Sequence, residues 1–90
     1  MRNIFKYKLE GKVRQVVKAP FVEVLDIQIQ NGTPCLWAIV DDQREGIFND
    51  SIIVYSFGTG ADDVNDYKNS DLKYLSTTQI GNYVLHWFYE

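Results

Sequence analysis

The chain has 90 residues, of which 46% are hydrophobic and 14% aromatic, and its net charge is −3. This length fits one domain, at residues 1–90, and the apolar content excludes general disorder. One cysteine excludes an internal disulfide, and no apolar run approaches the ~18 residues of a membrane-spanning helix. Because the first residues are too charged for a signal peptide, we expect a soluble intracellular protein.

The first two predicted strands carry most of the positive charge. In IFKYKL, Phe5, Tyr7 and Leu9 alternate with Lys6 and Lys8, so the two lysines share one face of a strand. A turn at residues 10–11 leads into VRQVVKAP, a second strand that carries Arg14 and ends at a proline.

Charge is distributed unevenly along the chain. The net charge is +5 over residues 1–18 and −8 over residues 19–90. Such asymmetry is typical of an anion-binding region; the alternative is that the basic end simply lies against the acidic remainder. Lys6, Lys8 and Arg14 next to an aromatic ring would suit a nucleotide, held by charge and stacking. The cluster is too small for double-stranded nucleic acid, and the overall charge opposes such binding.

The third strand, FVEVLDIQIQ, changes its apolar side midway, which predicts a bulge. A two-residue turn at Asn31-Gly32 follows and sets the register, in which Ile27 faces Leu36 and Asp26 faces Trp37. Pro34 then lacks an N–H on the side away from the third strand, which argues against a further strand pairing there.

This register predicts two different surfaces on the central hairpin. One is apolar and includes Ile27 and Leu36; the reverse face holds Asp26, Gln28, Cys35 and Trp37. We expect Trp37 on this mixed face to be covered by a second layer, an oligomer partner or a ligand.

Another strand ends at the segment Gly58-Thr59-Gly60, and residues 58–71 form a polar loop or a short helix. The glycines are typical turn residues, and their backbone N–H groups are weaker candidates to contact an anion. The aspartates that follow lack the glycine and glutamate of a calcium loop.

The last segment predicts a second hairpin, with a type II′ turn at Gly81-Asn82. This turn places His86 opposite Thr77, and Tyr74 on the same face as Trp87. Both faces hold aromatic residues, which indicates burial on two sides or assembly. Six to seven short strands predict an all-β fold, either an antiparallel sandwich or a partly open barrel. Its open edges favour a homo-oligomer.

Catalytic groups are scarce. One cysteine and one histidine cannot supply a typical zinc site, so we expect no metal and no cofactor. Cys35 lies in an apolar run and suggests a buried structural thiol, while His86 suggests a hydrogen-bonded structural histidine that could also contact a ligand. No positioned acid–base pair is evident, and we expect no enzymatic activity.

The blocks QNGTPCLWAIVD, SFGTG and YLSTTQIGNYVLHWFYE resemble a family of small phage- and prophage-encoded proteins of unknown function. The likeness covers most of the chain and is most specific in the central block, Gln30–Asp41. Here Ser76 replaces a glycine, His86 precedes the tryptophan, and the segment after Gly60 is longer and more acidic. The resemblance implies a phage setting and a location in the host cytoplasm, but no activity.

Two functions follow from this interpretation. The first is a non-enzymatic protein that antagonises a host process, most simply a defence system, by sequestering a nucleotide-like signal or by masking a host protein. The alternative is a structural or accessory component of the virion or of its assembly. The ligand-binding candidates are Lys6, Lys8, Arg14, Asp26, Gln28, Trp37, Gly58, Thr59, Gly60 and His86.

Overall fold

The computed structural model describes residues 1–10, 13–41, 50–60 and 71–90. In these ranges the regular structure is entirely β, and none of it forms a helix of the length and apolarity needed to cross a membrane. The seven strands are β1 (Arg2–Lys8), β2 (Arg14–Ala19), β3 (Phe21–Gln30), β4 (Thr33–Asp41), β5 (Asp50–Gly58), β6 (Lys73–Ile80) and β7 (Tyr83–Tyr89).

The strands form two antiparallel sheets, in the order β1-β4-β3 and β2-β5-β7-β6. The all-β prediction is therefore confirmed in its sandwich form, without a closed barrel. The sequence suggested that β1 and β2 are neighbouring strands, and the structure places them in different sheets. β1 pairs with β4 and β2 with β5, so each is an edge strand.

Both predicted hairpins form with the predicted turn geometry. Asn31 and Gly32 both have positive φ, 52° and 77°, as a type I′ turn requires. The register places Ile27 opposite Leu36 and Asp26 opposite Trp37, as predicted. In the second hairpin Gly81 has a φ of 58° and His86 lies opposite Thr77.

Two bulges change which side chains share a face. The side switch in β3 is confirmed by register shifts at residues 21–23 and 24–26. A further shift between Tyr74 and Ser76 was not predicted. It leaves Leu75 as the extra residue and places Tyr74 opposite Phe88. The prediction that Tyr74 shares a face with Trp87 is therefore wrong.

Pro34 marks the end of the β1–β4 ladder. The pairing stops at Lys8 opposite Cys35, one residue short of the proline, because Pro34 has no N–H to donate. The chain continues alongside, since the Leu9 N–H donates to the Pro34 carbonyl at 2.9 Å. The prediction of no strand pairing at this point is correct for the ladder, although one backbone bond is still made.

The core lies between the two sheets. Its buried members are Leu9, Ala19, Phe21, Ile27, Leu36, Ala38, Val40, Val54 and Trp87. The indole N–H of Trp87 donates to the Thr78 hydroxyl at 2.9 Å, which satisfies its polar atom inside the core. At one edge the sheets are tied together where the Ser76 hydroxyl donates to the Ile27 carbonyl at 2.6 Å.

The segment after β5 is described only at its start. Gly58 ends the strand, and Thr59 and Gly60 form a turn in which Gly60 has a φ of 69°. The turn prediction for these residues is confirmed. The predicted loop or short helix continues through residues 61–70, which lie outside the described residues.

Candidate functional site

A cleft opens between the two edge strands β1 and β2, at the side of the sandwich opposite the Ser76–Ile27 contact. It has a volume of about 670 Å³, within the range of small-molecule sites. Residues 6–8 and Glu10 form one wall and residues 14–18 form the other. We call it the cationic cleft.

Four cations line this cleft. Lys6 and Lys8 come from β1, and Arg14 and Lys18 come from β2. Alternation along a strand puts each pair on one side of its strand, since the members are two and four residues apart. One carboxylate, that of Glu10, is also part of the lining. The lining residues therefore carry a net charge of +3, which creates a positive potential in a concave surface.

Ion pairs with carboxylates do not cancel the charge of these four cations within the part of the chain that the structure describes. None of the four cations forms an ion pair with a carboxylate among the described residues, where the ion pair observed joins the Met1 amino group and Asp41. Among the described residues the four cations therefore form no ion pairs with the acidic remainder; the acidic residues within 42–49 and 61–70 lie outside the described residues.

Trp37 lies beside the cleft on the outer face of the three-stranded sheet. It is opposite Lys6 on one side and Asp26 on the other, and it does not face the core with Ile27. The Lys6 ammonium lies 5.8 Å from the centre of the indole ring and donates to the Gln30 amide oxygen at 2.5 Å. The prediction of a mixed surface around Trp37 is confirmed, and the Lys6 ammonium extends over its ring toward Gln30 on β3.

Asp26 and Gln28 are farther from the cleft, across Trp37. The Asp26 carboxylate accepts from the Ile27 N–H at 2.8 Å and from the Gln28 amide at 2.9 Å. Both of its oxygens are thus engaged within β3. The carboxylate repels an anion, so an anionic ligand is favoured on the lysine side of Trp37.

The remaining predicted residues lie on the other sheet. The Thr59 hydroxyl is 2.6 Å from His86 Nε2 and the Thr77 hydroxyl is 3.2 Å from its Nδ1. Both ring nitrogens are therefore hydrogen-bonded, which confirms the structural interpretation of His86. A separate pocket of about 280 Å³ is lined by Phe57, Gly58, Thr59, Gly60, Tyr74, His86 and Phe88.

Cys35 is 1% exposed and its thiol donates to the Thr33 carbonyl at 3.5 Å, so its predicted burial is confirmed. It lies in β4 of the three-stranded sheet, whereas His86 lies in β7 of the other sheet. The two side chains do not form a thiol–imidazole pair. Within residues 1–10, 13–41, 50–60 and 71–90, no group of three potential metal-ligating side chains is present.

The structure thus divides the predicted site residues into three groups. Lys6, Lys8 and Arg14 share the cleft, Trp37 borders it with Asp26 and Gln28 beyond, and the remaining four lie in the smaller pocket. Lys18 and Gln15 line the cleft but were missed. The even spacing of Lys18 from Arg14, which puts both on one side of β2, is the sequence signal that could have identified Lys18. No such signal identifies Gln15.

These features define a small β-sandwich protein with a cationic cleft between its edge strands. The chain matches the model of a family described as a domain of unknown function, DUF7352, over residues 1–90. It therefore belongs to this family. Neither the curated proteins nor the solved structures compared with it gave a match.

Proposed function

We propose that the protein is a non-enzymatic binding protein whose cationic cleft holds a nucleotide-like anion. The observation that supports this most directly is that four cationic residues, Lys6, Lys8, Arg14 and Lys18, all line one cleft. Phosphate groups are the natural ligands of such a cluster, since lysine and arginine form charge-assisted hydrogen bonds to them. The indole ring of Trp37, which lies under the Lys6 ammonium, supports the proposal as an aromatic neighbour of this cluster.

The hydrogen bonding of the reactive side chains supports a binding role. Thr59 and Thr77 hold the imidazole of His86, so no carboxylate orients it as a general base. The thiol of Cys35 is buried and lies in the other sheet. The likeness to small phage proteins extends the proposal to a host-cytoplasmic, anti-defence setting, in which the protein sequesters a nucleotide signal.

An alternative explanation of these cations is that charged side chains on edge strands prevent edge-to-edge aggregation. The two roles predict different consequences of charge removal. If the cations act only against aggregation, neutral variants will associate and anion binding will be absent in every variant. If they form a site, neutral variants will remain dispersed but bind anions more weakly.

Isothermal titration calorimetry against a panel of signalling nucleotides and tripolyphosphate tests the proposal. Arg14→Gln and Lys8→Gln should each weaken binding by about 1 kcal/mol, or roughly fivefold, as for partly exposed charge contacts. Lys73→Gln is the matched control, because Lys73 lies on β6, at the edge of the four-stranded sheet opposite β2. If no anion in the panel gives heat, the cleft is not an anion-binding site. The remaining form of the hypothesis is then a protein that masks a host protein.

A second candidate function is suggested by the tip of the β6–β7 hairpin. Tyr83 is 77% exposed and Ile80 40% exposed there, an apolar pair that suits a protein interface. This favours an accessory role in the virion or in its assembly. Detection of the chain in purified particles by mass spectrometry would support that role, and its absence would eliminate it.

A further inference from the structure

The outer face of the four-stranded sheet carries an aromatic cluster that the cleft alone does not explain. Cross-strand pairing puts Arg14, Tyr55, Phe88 and Tyr74 in one row that crosses all four strands. At about 4.8 Å between strands, this row is about 14 Å long. The outer face of a sheet exposed to water is normally polar, so a row of partly exposed rings there is a candidate binding surface.

The rings contact one another and remain partly accessible. The ring centres of Tyr55 and Phe57 are 6.4 Å apart, and the ring of Phe88 is 5.7 Å from Phe57 and 5.6 Å from Tyr74. Tyr74 is 54% exposed. We call Tyr55, Phe57, Tyr74 and Phe88 the aromatic face.

Arg14 connects the aromatic face to the cationic cleft. It lines the cleft and lies directly opposite Tyr55 in the β2–β5 ladder. A ligand that bridges the two surfaces must therefore carry negative charge at one side and flat rings at the other. The rings must also repeat, because three aromatic side chains follow one another along the row.

Single-stranded nucleic acid has this chemistry, because its phosphates and bases repeat together and its bases expose their faces. In a duplex the bases are stacked and paired, which hides those faces. A mononucleotide occupies one stacking position at most. We infer that the ligand is a short single-stranded oligonucleotide, with its phosphates in the cationic cleft and its bases stacked on the aromatic face. This inference rests on the proposed function.

Fluorescence anisotropy with two labelled probes tests the inference. The first probe is an oligothymidylate of about six nucleotides, and the second is an abasic strand with the same number of phosphates. Stacking contributes enough that Tyr74→Leu should weaken binding of the oligothymidylate about fivefold or more. The same substitution should leave the abasic strand unaffected, and Tyr74→Phe should restore binding.

Tyr83→Leu is the matched control, since it removes an exposed tyrosine that lies outside the row. Arg14→Gln should weaken binding of both probes. Equal affinity for the two probes, or equal effects of Tyr74→Leu and Tyr83→Leu, would overturn the oligonucleotide inference and leave the cleft as an anion site. If neither probe nor tripolyphosphate binds, the proposed function fails as well.

Discussion

Thr78 and Trp87 show how one polar side chain supports the core. Trp87 is fully buried, and its indole N–H has the Thr78 hydroxyl as its partner. Thr78→Val keeps the shape of the side chain but leaves the N–H without an acceptor. We expect a loss of about 1–3 kcal/mol in the free energy of unfolding, measured by urea denaturation.

Thr78→Ser is the control for this prediction, because it keeps the hydroxyl and removes a methyl group. It should cost less than Thr78→Val. If the valine variant is as stable as the native protein, the hydrogen bond to Trp87 contributes nothing measurable to the core.

Tyr55 gives the protein a dependence on alkaline pH. Its hydroxyl donates to the Glu90 carboxylate at 2.7 Å, which raises the pKa of Tyr55 above its ordinary value; partial burial adds to this, and Arg14 opposes it. Because the folded pKa is the higher one, the stabilisation is complete below the unfolded pKa near 10. It is lost as the pH rises through the folded pKa.

Phenolate absorbance is measured as the pH is raised, for the native protein and for Tyr55→Phe. The difference between the two curves gives the titration of Tyr55 alone. The midpoint should lie above 10, and it should fall in Glu90→Gln because the negative charge is removed. A midpoint at or below 10 in the native protein would show that the Glu90 contact does not persist in solution.

At the scale of elements, the Asn31-Gly32 turn sets the register that places Trp37 on the outer face. Gly32 has a φ of 77°, and a Cβ built there would meet no atom within 4 Å. The cost of Gly32→Ala is therefore conformational, about 1–2 kcal/mol. Thermal or urea denaturation should show this loss, whereas Asn31→Gly should be tolerated. Equal stability of Gly32→Ala would mean that the turn adopts another conformation.

Local patterns predicted the parts of the fold that depend on local geometry. Two-residue turns have few conformations, so both hairpin registers followed from Asn31-Gly32 and Gly81-Asn82. The side switch of apolar residues in β3 likewise revealed its bulge. The extra residue at Leu75 was missed because nothing in the sequence KYLSTTQI marks where the pairing shifts.

Pairing between distant strands was less accessible to sequence reasoning. The partners of β1 and β2 lie more than 25 residues along the chain, and no local signal selects them. Their separation into two sheets creates the cleft, so the sequence predicted three of its four cations but not that they line a cleft between two sheets. The aromatic row depends on the same distant pairings, as well as on the shift at Leu75 that brings Tyr74 opposite Phe88.

At the scale of the whole molecule, the sequence predicts a homo-oligomer, and this stays a prediction. Two features support it: β1 and β2 are edge strands, and the β6–β7 hairpin presents Tyr83 and Ile80 to solvent. Light scattering at high micromolar concentration should give a mass above that of one 10.5 kDa chain. A monomer under these conditions would remove the prediction.

The central claim is that the cationic cleft binds anions, and amide chemical shifts measured by NMR during a tripolyphosphate titration test it most directly. The largest changes should map to Lys6, Lys8, Arg14 and Lys18, and they should diminish as salt is added because the contacts are screened. Shifts that are absent, or that are as large around Lys73 as in the cleft, would contradict the claim.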